Sequence, residues 1–189
     1  MRASRKTNRE VEIKLALRDP DDGKRRLRKA GFHISKRRVF EDNTVFDTPG
    51  LELRKSQRLV RIRRAGRHLE MTYKGAPQPS KHKHREELEI DISSAETMAA
   101  ILDRLGYRPV FRYQKLRTEL RHSSDGGGVV TLDETPIGAY MELEGSPAWI
   151  DRTARKLGYS ESHYITASYA ALYLEWCRRR RRKPGDMVF

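Results

Sequence analysis

The sequence predicts an α+β fold built on a mostly antiparallel sheet. Several short segments alternate apolar and charged side chains with a period of two, the pattern of strands with one buried face. Other segments repeat apolar residues at helical spacing between recognisable caps. The two kinds come mixed, without the regular strand–helix alternation of a parallel sheet.

The first strand is "REVEIKLAL", with Val11, Ile13 and Leu15 on one face and Glu10, Glu12 and Lys14 on the other. "DPDDGKRRLRKAGF" is a helix with acids at its start, bases later and Gly31 as its stop. In "VFDTPG", Asp47 reads as a turn residue rather than a metal ligand. "LVRIRR" sets Arg61 and Arg63 opposite Val60 and Ile62, and "EMTYKG" groups Thr72 with Lys74. "GAPQPSKHKHR" is a loop by composition, and His82 and His84 read as part of a mobile basic lid rather than a metal pair.

"REELEIDIS" is the next strand, with Glu87 and Glu89 sharing a face. "SSAETMAAILDRLGY" is a helix with Ser93 and Glu96 at capping-box spacing and Gly106 as its stop. "FRYQKLRTEL" groups Tyr113, Lys115, Arg117 and Glu119. "VVTLDETP" sets Thr131 and Asp133 opposite Val130 and Leu132, and "YMELEG" sets Glu142 and Glu144 opposite Met141 and Leu143. "SPAWIDRTARKLGY" has Ser146 as N-cap, Pro147 at the first helical position and Gly158 as its stop. "YITASYAALYLEWCRRR" is a longer amphipathic helix, and Trp149, Tyr164, Tyr169 and Trp176 read as core.

"REVEIKLAL", a helix and "GF" match "REELEIDIS", a helix and "GY", which aligns Glu10 and Glu12 with Glu87 and Glu89. The chain therefore reads as two related strand–helix–strand halves followed by a third helical unit.

At 189 residues, 37% hydrophobic and 35% charged, the chain is expected to be one soluble domain. No apolar run approaches the length of a membrane span, so none is expected, and the basic, polar N-terminal residues lead us to expect no secretory signal. The single cysteine, Cys177, suits a reducing cytoplasm. The net charge of +14 suggests nucleic acid or a small polyanion. "RRRRRK" supplies six of those charges and runs into "PGDMVF". Residues 178–189 read as a solvated, disordered tail whose removal should leave ligand binding nearly unchanged.

The charges on the polar faces are sorted by strand. Glu10/Glu12, Glu87/Glu89 and Glu142/Glu144 are acidic pairs, whereas Arg61/Arg63 and Lys115/Arg117 are basic pairs. Like charges side by side repel, so this arrangement costs stability unless ions of opposite sign bind. Hard divalent cations would neutralise the carboxylates, and a phosphate chain the bases. Pattern alone admits both a barrel with a polar lumen and an ordinary sheet with one wet face.

"EVEIK" resembles the Glu-x-Glu-x-Lys signature of the CYTH superfamily, which holds class IV adenylyl cyclases and thiamine or inorganic triphosphatases. The likeness continues through "VFDTPGLELRKSQRLVRIRR", "MTYKG", "REELEI", "YQKLRTEL", "TLDETPIGAYMELEG" and "ITASYAALYL". It implies a closed or nearly closed antiparallel β-barrel of about eight strands with flanking helices, a triphosphate tunnel, occupying residues 1–177. By position it implies that Glu10, Glu12, Asp133, Glu142 and Glu144 hold Mg²⁺ or Mn²⁺. Lys14, Arg61, Arg63, Lys74, Lys115 and Arg117 would then cradle the triphosphate, with Lys14, Arg63, Lys74 and Arg117 in catalytic roles and Glu87 and Glu89 supporting. Relatives often place a lysine where Ala167 stands here; Lys81, Lys83 or Arg85 could replace it. The implied reaction is conversion of ATP to cyclic AMP and pyrophosphate. The alternatives are hydrolysis of thiamine or inorganic triphosphate, or polyphosphate or RNA binding without turnover. The expected partner is a small triphosphate, not a membrane or nucleic acid, and the resemblance admits a homodimer.

Overall fold

The structure, a computed structural model, describes residues 8–124 and 126–189. Its strands are β1 (Asn8–Leu17), β2 (Phe32–Asp47), β3 (Leu59–Ala65), β4 (His68–Lys74), β5 (Lys83–Asp91), β6 (Arg108–His122), β7 (Gly128–Thr135) and β8 (Gly138–Gly145). They close into a barrel in the order β1-β5-β4-β3-β2-β6-β7-β8, with antiparallel contacts throughout. The helices are α1 (Pro20–Lys29), the short α2 (Glu52–Lys55), α3 (Ala95–Arg104), α4 (Pro147–Lys156) and α5 (Tyr169–Arg179). The barrel alternative is thus the one realised.

The repeat read from sequence is visible in the topology. Exchanging β1–β4 for β5–β8 maps the circular strand order onto itself. The helix following the first strand of each half, α1 or α3, packs on the barrel's outside and seals a separate core. α1 and α4 cover Ile13, Leu15, Val130, Leu132, Met141 and Leu143, all fully buried, with Trp149 and Ile150 from α4. α3 covers Phe46, Val60 and Ile62. These apolar residues alternate with the charged ones, so covering the outside forces the charges inward.

Caps fall close to expectation. The Asp19 carboxylate accepts from Asp22 N, Ser146 from Trp149 N and Ser168 from Ala171 N. The cap of α3 is Ser94, which accepts from Thr97 N, one residue later than the capping-box spacing of Ser93 suggested. Gly31, Gly106 and Gly158 end their helices at φ of +86°, +89° and +87°, a conformation that side chains disfavour. Asp47 has the expected turn role. Its carboxylate accepts from the backbone N–H groups of Thr48, Leu53 and Arg54 and so fixes α2.

Two expectations need correction. The loop before β5 is pinned rather than a mobile lid. His82 is buried with Nε2 2.8 Å from Asp151 Oδ1, and Lys81 Nζ lies 2.9 Å from Asp151 Oδ2. Composition marked the loop as loose, but Asp151 on α4 supplies counter-charge that composition cannot show. Residues 178–189 are likewise not a disordered tail. α5 extends to Arg179, and Met187 is 1% exposed and hydrogen-bonded to β6.

Gly128 and Gly145 face each other across β7 and β8, and Trp149 packs over both. A Cβ on Gly128 would lie 2.4 Å from Glu144 O and 2.6 Å from the Trp149 ring. Gly128→Ala should therefore destabilise the fold by about 1–3 kcal/mol through overpacking. Equal urea midpoints for variant and parent would refute this close packing.

Candidate functional site in the barrel lumen

β1 presents Glu10, Glu12 and Lys14 to the lumen, where they are 7%, 5% and 2% exposed. Charges buried this deeply require partners, since one left alone costs several kcal/mol. Glu10 accepts from Lys74 Nζ at 2.7 Å and from Arg85 Nε at 3.0 Å. Glu12 accepts from Lys83 Nζ at 2.7 Å and Lys14 Nζ at 3.2 Å. Lys14 Nζ also lies 3.1 Å from Glu142, and Lys74 Nζ 2.7 Å from Glu87. Burial alone would neutralise these groups, but their partners outweigh it. Lys14 is held above the ordinary lysine value by Glu12 and Glu142, and Glu12 well below the carboxylate range by Lys14 and Lys83. Lys83 goes the other way. Burial, together with Lys14 and Arg85, lowers it despite Glu12.

The facing wall comes from β2, β3, β6 and β7. Asp133, fully buried, accepts from Lys115 Nζ at 2.9 Å, Arg117 Nε at 2.7 Å and the Tyr169 hydroxyl at 2.7 Å. Arg117 also pairs with Glu142, and these two partners with Glu41 keep it above its usual value although it is buried. Arg61 donates to Thr72 Oγ1 at 2.8 Å and to the Tyr113 hydroxyl at 3.3 Å. Arg63 donates to Asn43 Oδ1 at 3.0 Å and lies 3.5 Å from Glu41. Glu41 is held at about 2 by Lys115, Arg117 and Arg63 against its burial.

Two buried atoms in this wall lack a hydrogen-bond partner, Arg61 Nε and Glu41 Oε2. Arg61 Nε is thus free to donate to an anion, whereas Glu41 Oε2 is already faced by Arg63 Nε and Lys115 Nζ at 3.5 Å each.

Glu144 stands at the rim, more than a third exposed, and no ion pair reaches it among the described residues. Partial burial and the charges of Glu10, Glu87 and Glu12 push its carboxyl up to about 7. Glu89 is exposed at the rim, 3.9 Å from Arg61. The other residues assigned by resemblance share the lumen or its edge. Among the described residues no three carboxylate, thiol or imidazole groups gather closely enough to hold a metal ion, because Lys and Arg occupy the carboxylates.

Sequence reasoning missed Glu41, Asn43 and Glu70, which orient the arginines of β3, and placed Lys83 and Arg85 in the loop although they begin β5. The alternation in "FEDNTVFD" was the available signal for the first two. Tyr169 is buried in a core cluster as its helical spacing predicts, and it also reaches the lumen beneath Lys14 and Lys115, whose Nζ atoms lie 5.3 and 5.1 Å from its ring centroid. At one end the lumen opens into a cavity of about 1030 Å³ beside Val45, Leu59, Lys83, Arg85, Phe111 and Ala167. Lys83 and Arg85 therefore border the same space as Ala167 and supply positive charge there.

The fold and site together define a closed antiparallel barrel whose lumen holds paired acidic and basic groups. The CYTH domain model matches residues 8–169, and the chain belongs to the CYTH family, whose members bind triphosphate substrates. A Methanocaldococcus jannaschii protein named "Putative adenylate cyclase" is 31% identical over 173 residues, covering 86% of this chain and 97% of that one. A Pyrococcus horikoshii structure is 26% identical, covers 88% and 98% of the two chains and superposes with a TM-score of 0.74. A Hippeastrum structure, described as a "putative adenylyl cyclase" with dominant triphosphatase activity, is 21% identical with a TM-score of 0.63 over 93% and 97% of the chains. No helix among the described residues is long and apolar enough to cross a membrane.

The Glu144 carboxyl sets a pH dependence. Below 4.5 both folded and unfolded states carry its proton; between 4.5 and about 7 only the folded state does, so this group's contribution to stability falls as pH rises through that window. Above about 7 the contribution is constant. The stability difference between wild type and Glu144→Gln should decline from pH 5 to pH 7 and then level off. A difference that is flat across the window in urea unfolding would contradict the crowding of Glu144.

Proposed function

We propose that the tunnel binds a metal–triphosphate and cyclises ATP to cyclic AMP, releasing pyrophosphate, in a reducing cytoplasm. The observation that carries the triphosphate reading is the ring of lumen cations, Lys14, Arg61, Arg63, Lys74, Lys115 and Arg117, with Arg61 Nε left unpartnered. Arginine donates in pairs to phosphate oxygens, and Lys14, held firmly protonated, serves as a fixed charge and not as a base. The chain's own contribution is to hold the phosphate chain extended and offset the charge that develops on the oxygens at the reacting phosphorus.

Of the carboxylates, Glu144 with Glu10 and Glu12 best fits Mg²⁺ or Mn²⁺, since the charges of Glu10, Glu87 and Glu12 on Glu144 outweigh that of Lys74 and no ion pair reaches it among the described residues. When bound, the ion would neutralise phosphate oxygens that the cations do not reach. Glu10 and Glu12 are paired with bases, as are Asp133 and Glu142, but Glu10 and Glu12 are among the carboxylates that crowd Glu144; we assign Asp133 and Glu142 the orientation of Lys115, Arg117 and Lys14.

The cyclase reading leans on the name of the 31% identical relative. Hydrolysis of a triphosphate is the second reading, supported by what is described for the Hippeastrum structure. A lumen lined by carboxylates as well as bases argues against a polyphosphate or RNA binder without turnover. Product analysis with ATP, thiamine triphosphate and inorganic triphosphate, each with Mg²⁺ and Mn²⁺, separates them. Cyclic AMP from ATP supports the first, orthophosphate the second, and no turnover of any substrate overturns both.

Turnover should vanish in EDTA, and Glu12→Gln should lower it by at least ~10²-fold, the loss typical of removing one strong electrostatic stabiliser. Full activity in EDTA would remove the metal from the scheme. Arg63→Ala should weaken triphosphate binding roughly ten- to a hundredfold in calorimetry, as loss of one charge-assisted contact predicts. Unchanged affinity would place the phosphates elsewhere.

A further inference from the structure

β7 pairs with β6 only along residues 116–120 of the latter, which leaves the earlier half of β6 open on that side. The segment after α5 fills the gap. Met187 N donates to Arg112 O and Gln114 N to Met187 O, each at 2.9 Å, and Asp186 Oδ1 accepts from Arg112 N at 2.8 Å. The chain returns to β6 through a built reversal. Arg181 takes a left-handed φ of +52°, Arg182 N donates to Cys177 O at 2.9 Å, and the guanidinium groups of Arg180 and Arg182 lie 4.8 and 5.4 Å from the Trp176 ring centroid. The arginine run is therefore largely committed to turning the chain.

Met187 is buried among neighbours that are exposed, and it packs in one cluster with Tyr113 and Tyr169. Both tyrosines reach the lumen. The Tyr113 hydroxyl accepts from Arg61, and the Tyr169 hydroxyl donates to Asp133 while its ring lies under Lys115.

We propose that residues 184–187 are a working part of the tunnel wall and that Met187 is a positioning residue, holding Tyr113 and Tyr169, and through them Arg61 and Lys115, where a phosphate chain rests. The role in ligand binding rests on the triphosphate reading; the positioning of the tyrosines does not. Truncating a buried methionine leaves a cavity that neighbouring rings relax into, so the effect passes to the tyrosines without any contact between Met187 and ligand.

Two measurements test this on the full chain. The first is ultraviolet titration of the tyrosines. Tyr113 is faced by Arg61 and Arg63 from β3, Lys115 from its own strand and Tyr169 from α5; despite burial, the three cations bring its phenol down to about 8. Wild type should show one phenol ionising near 8 that is absent in Tyr113→Phe. In Met187→Ala it should move up toward the ordinary value of about 10, and Met187→Leu should restore it. The second is calorimetry with inorganic triphosphate and Mg²⁺. Met187→Ala should weaken binding on the order of tenfold, as partial loss of one charge-assisted contact implies, and Met187→Leu should not. Asp186→Ala, which unties the segment from Arg112 without opening the core, should shift both readouts the same way and serves if Met187→Ala does not fold. Wild-type titration and affinity in the folded variants would overturn the proposal. Absence of triphosphate binding by wild type would overturn the triphosphate reading instead, and the titration would still decide the role of Met187.

Discussion

The constraint on which the rest of this protein depends is charge balance inside a closed barrel. Eight cationic side chains contact the lumen network, Lys14, Lys74, Lys83 and Arg85 on one side, Arg61, Arg63, Lys115 and Arg117 on the other. They are matched by Glu10, Glu12, Glu87 and Glu142 and by Glu41, Glu70 and Asp133, with Glu144 at the rim. No single pair could persist there, because removing one partner strands a charge in a site poor in water. The network is held because most members have two or three counter-charges, Lys83 and Glu87 having one each, and because apolar outer faces sealed by α1, α3 and α4 leave the charges nowhere else to point.

The scaffold is close to symmetric, but its charge is not. β3 carries Arg61 and Arg63 where β7, its counterpart under exchange of the halves, carries Thr131 and Asp133. Likewise β4 carries Lys74 where β8 carries Glu142 and Glu144. One architecture thus presents basic and acidic groups, interleaved strand by strand, to the same volume. A ligand that is itself dipolar, an anionic chain with a bound cation, is complementary to such a lumen. A simple anion would meet carboxylates, and a simple cation would meet arginines.

The strong cross-lumen pairing also explains why no ready-made metal cluster stands among the described residues. Lysine and arginine occupy the lumen carboxylates, and among the described residues of the lumen only Glu144, crowded by Glu10, Glu87 and Glu12 more than Lys74 offsets, has no ion pair. On the proposed reading, binding exchanges internal ion pairs for contacts with ligand, and the net gain comes from Arg61 Nε and from relief of the Glu144 repulsion.

The sequence by itself determined the strands, the helix ends and the face on which each charge lies, because these follow from periods of two and 3.6 and from local caps such as Asp19, Ser146 and Gly158. Sorted charges and the Glu-x-Glu-x-Lys signature located most of the lumen residues. Only the tertiary structure decided which way the sheet curls, which acid serves which base, that Asp133 and Glu142 are occupied by cations, and that Glu89 is left at the rim. It alone brought Tyr169 to the lumen, pinned His82 to Asp151 and seated Met187 against Tyr113. Each of these depends on a partner seventy or so residues away or on another element of the barrel. Local pattern records what a side chain is and which face it occupies; it does not record the distant charge or edge that makes an arginine-rich segment fold back and stay.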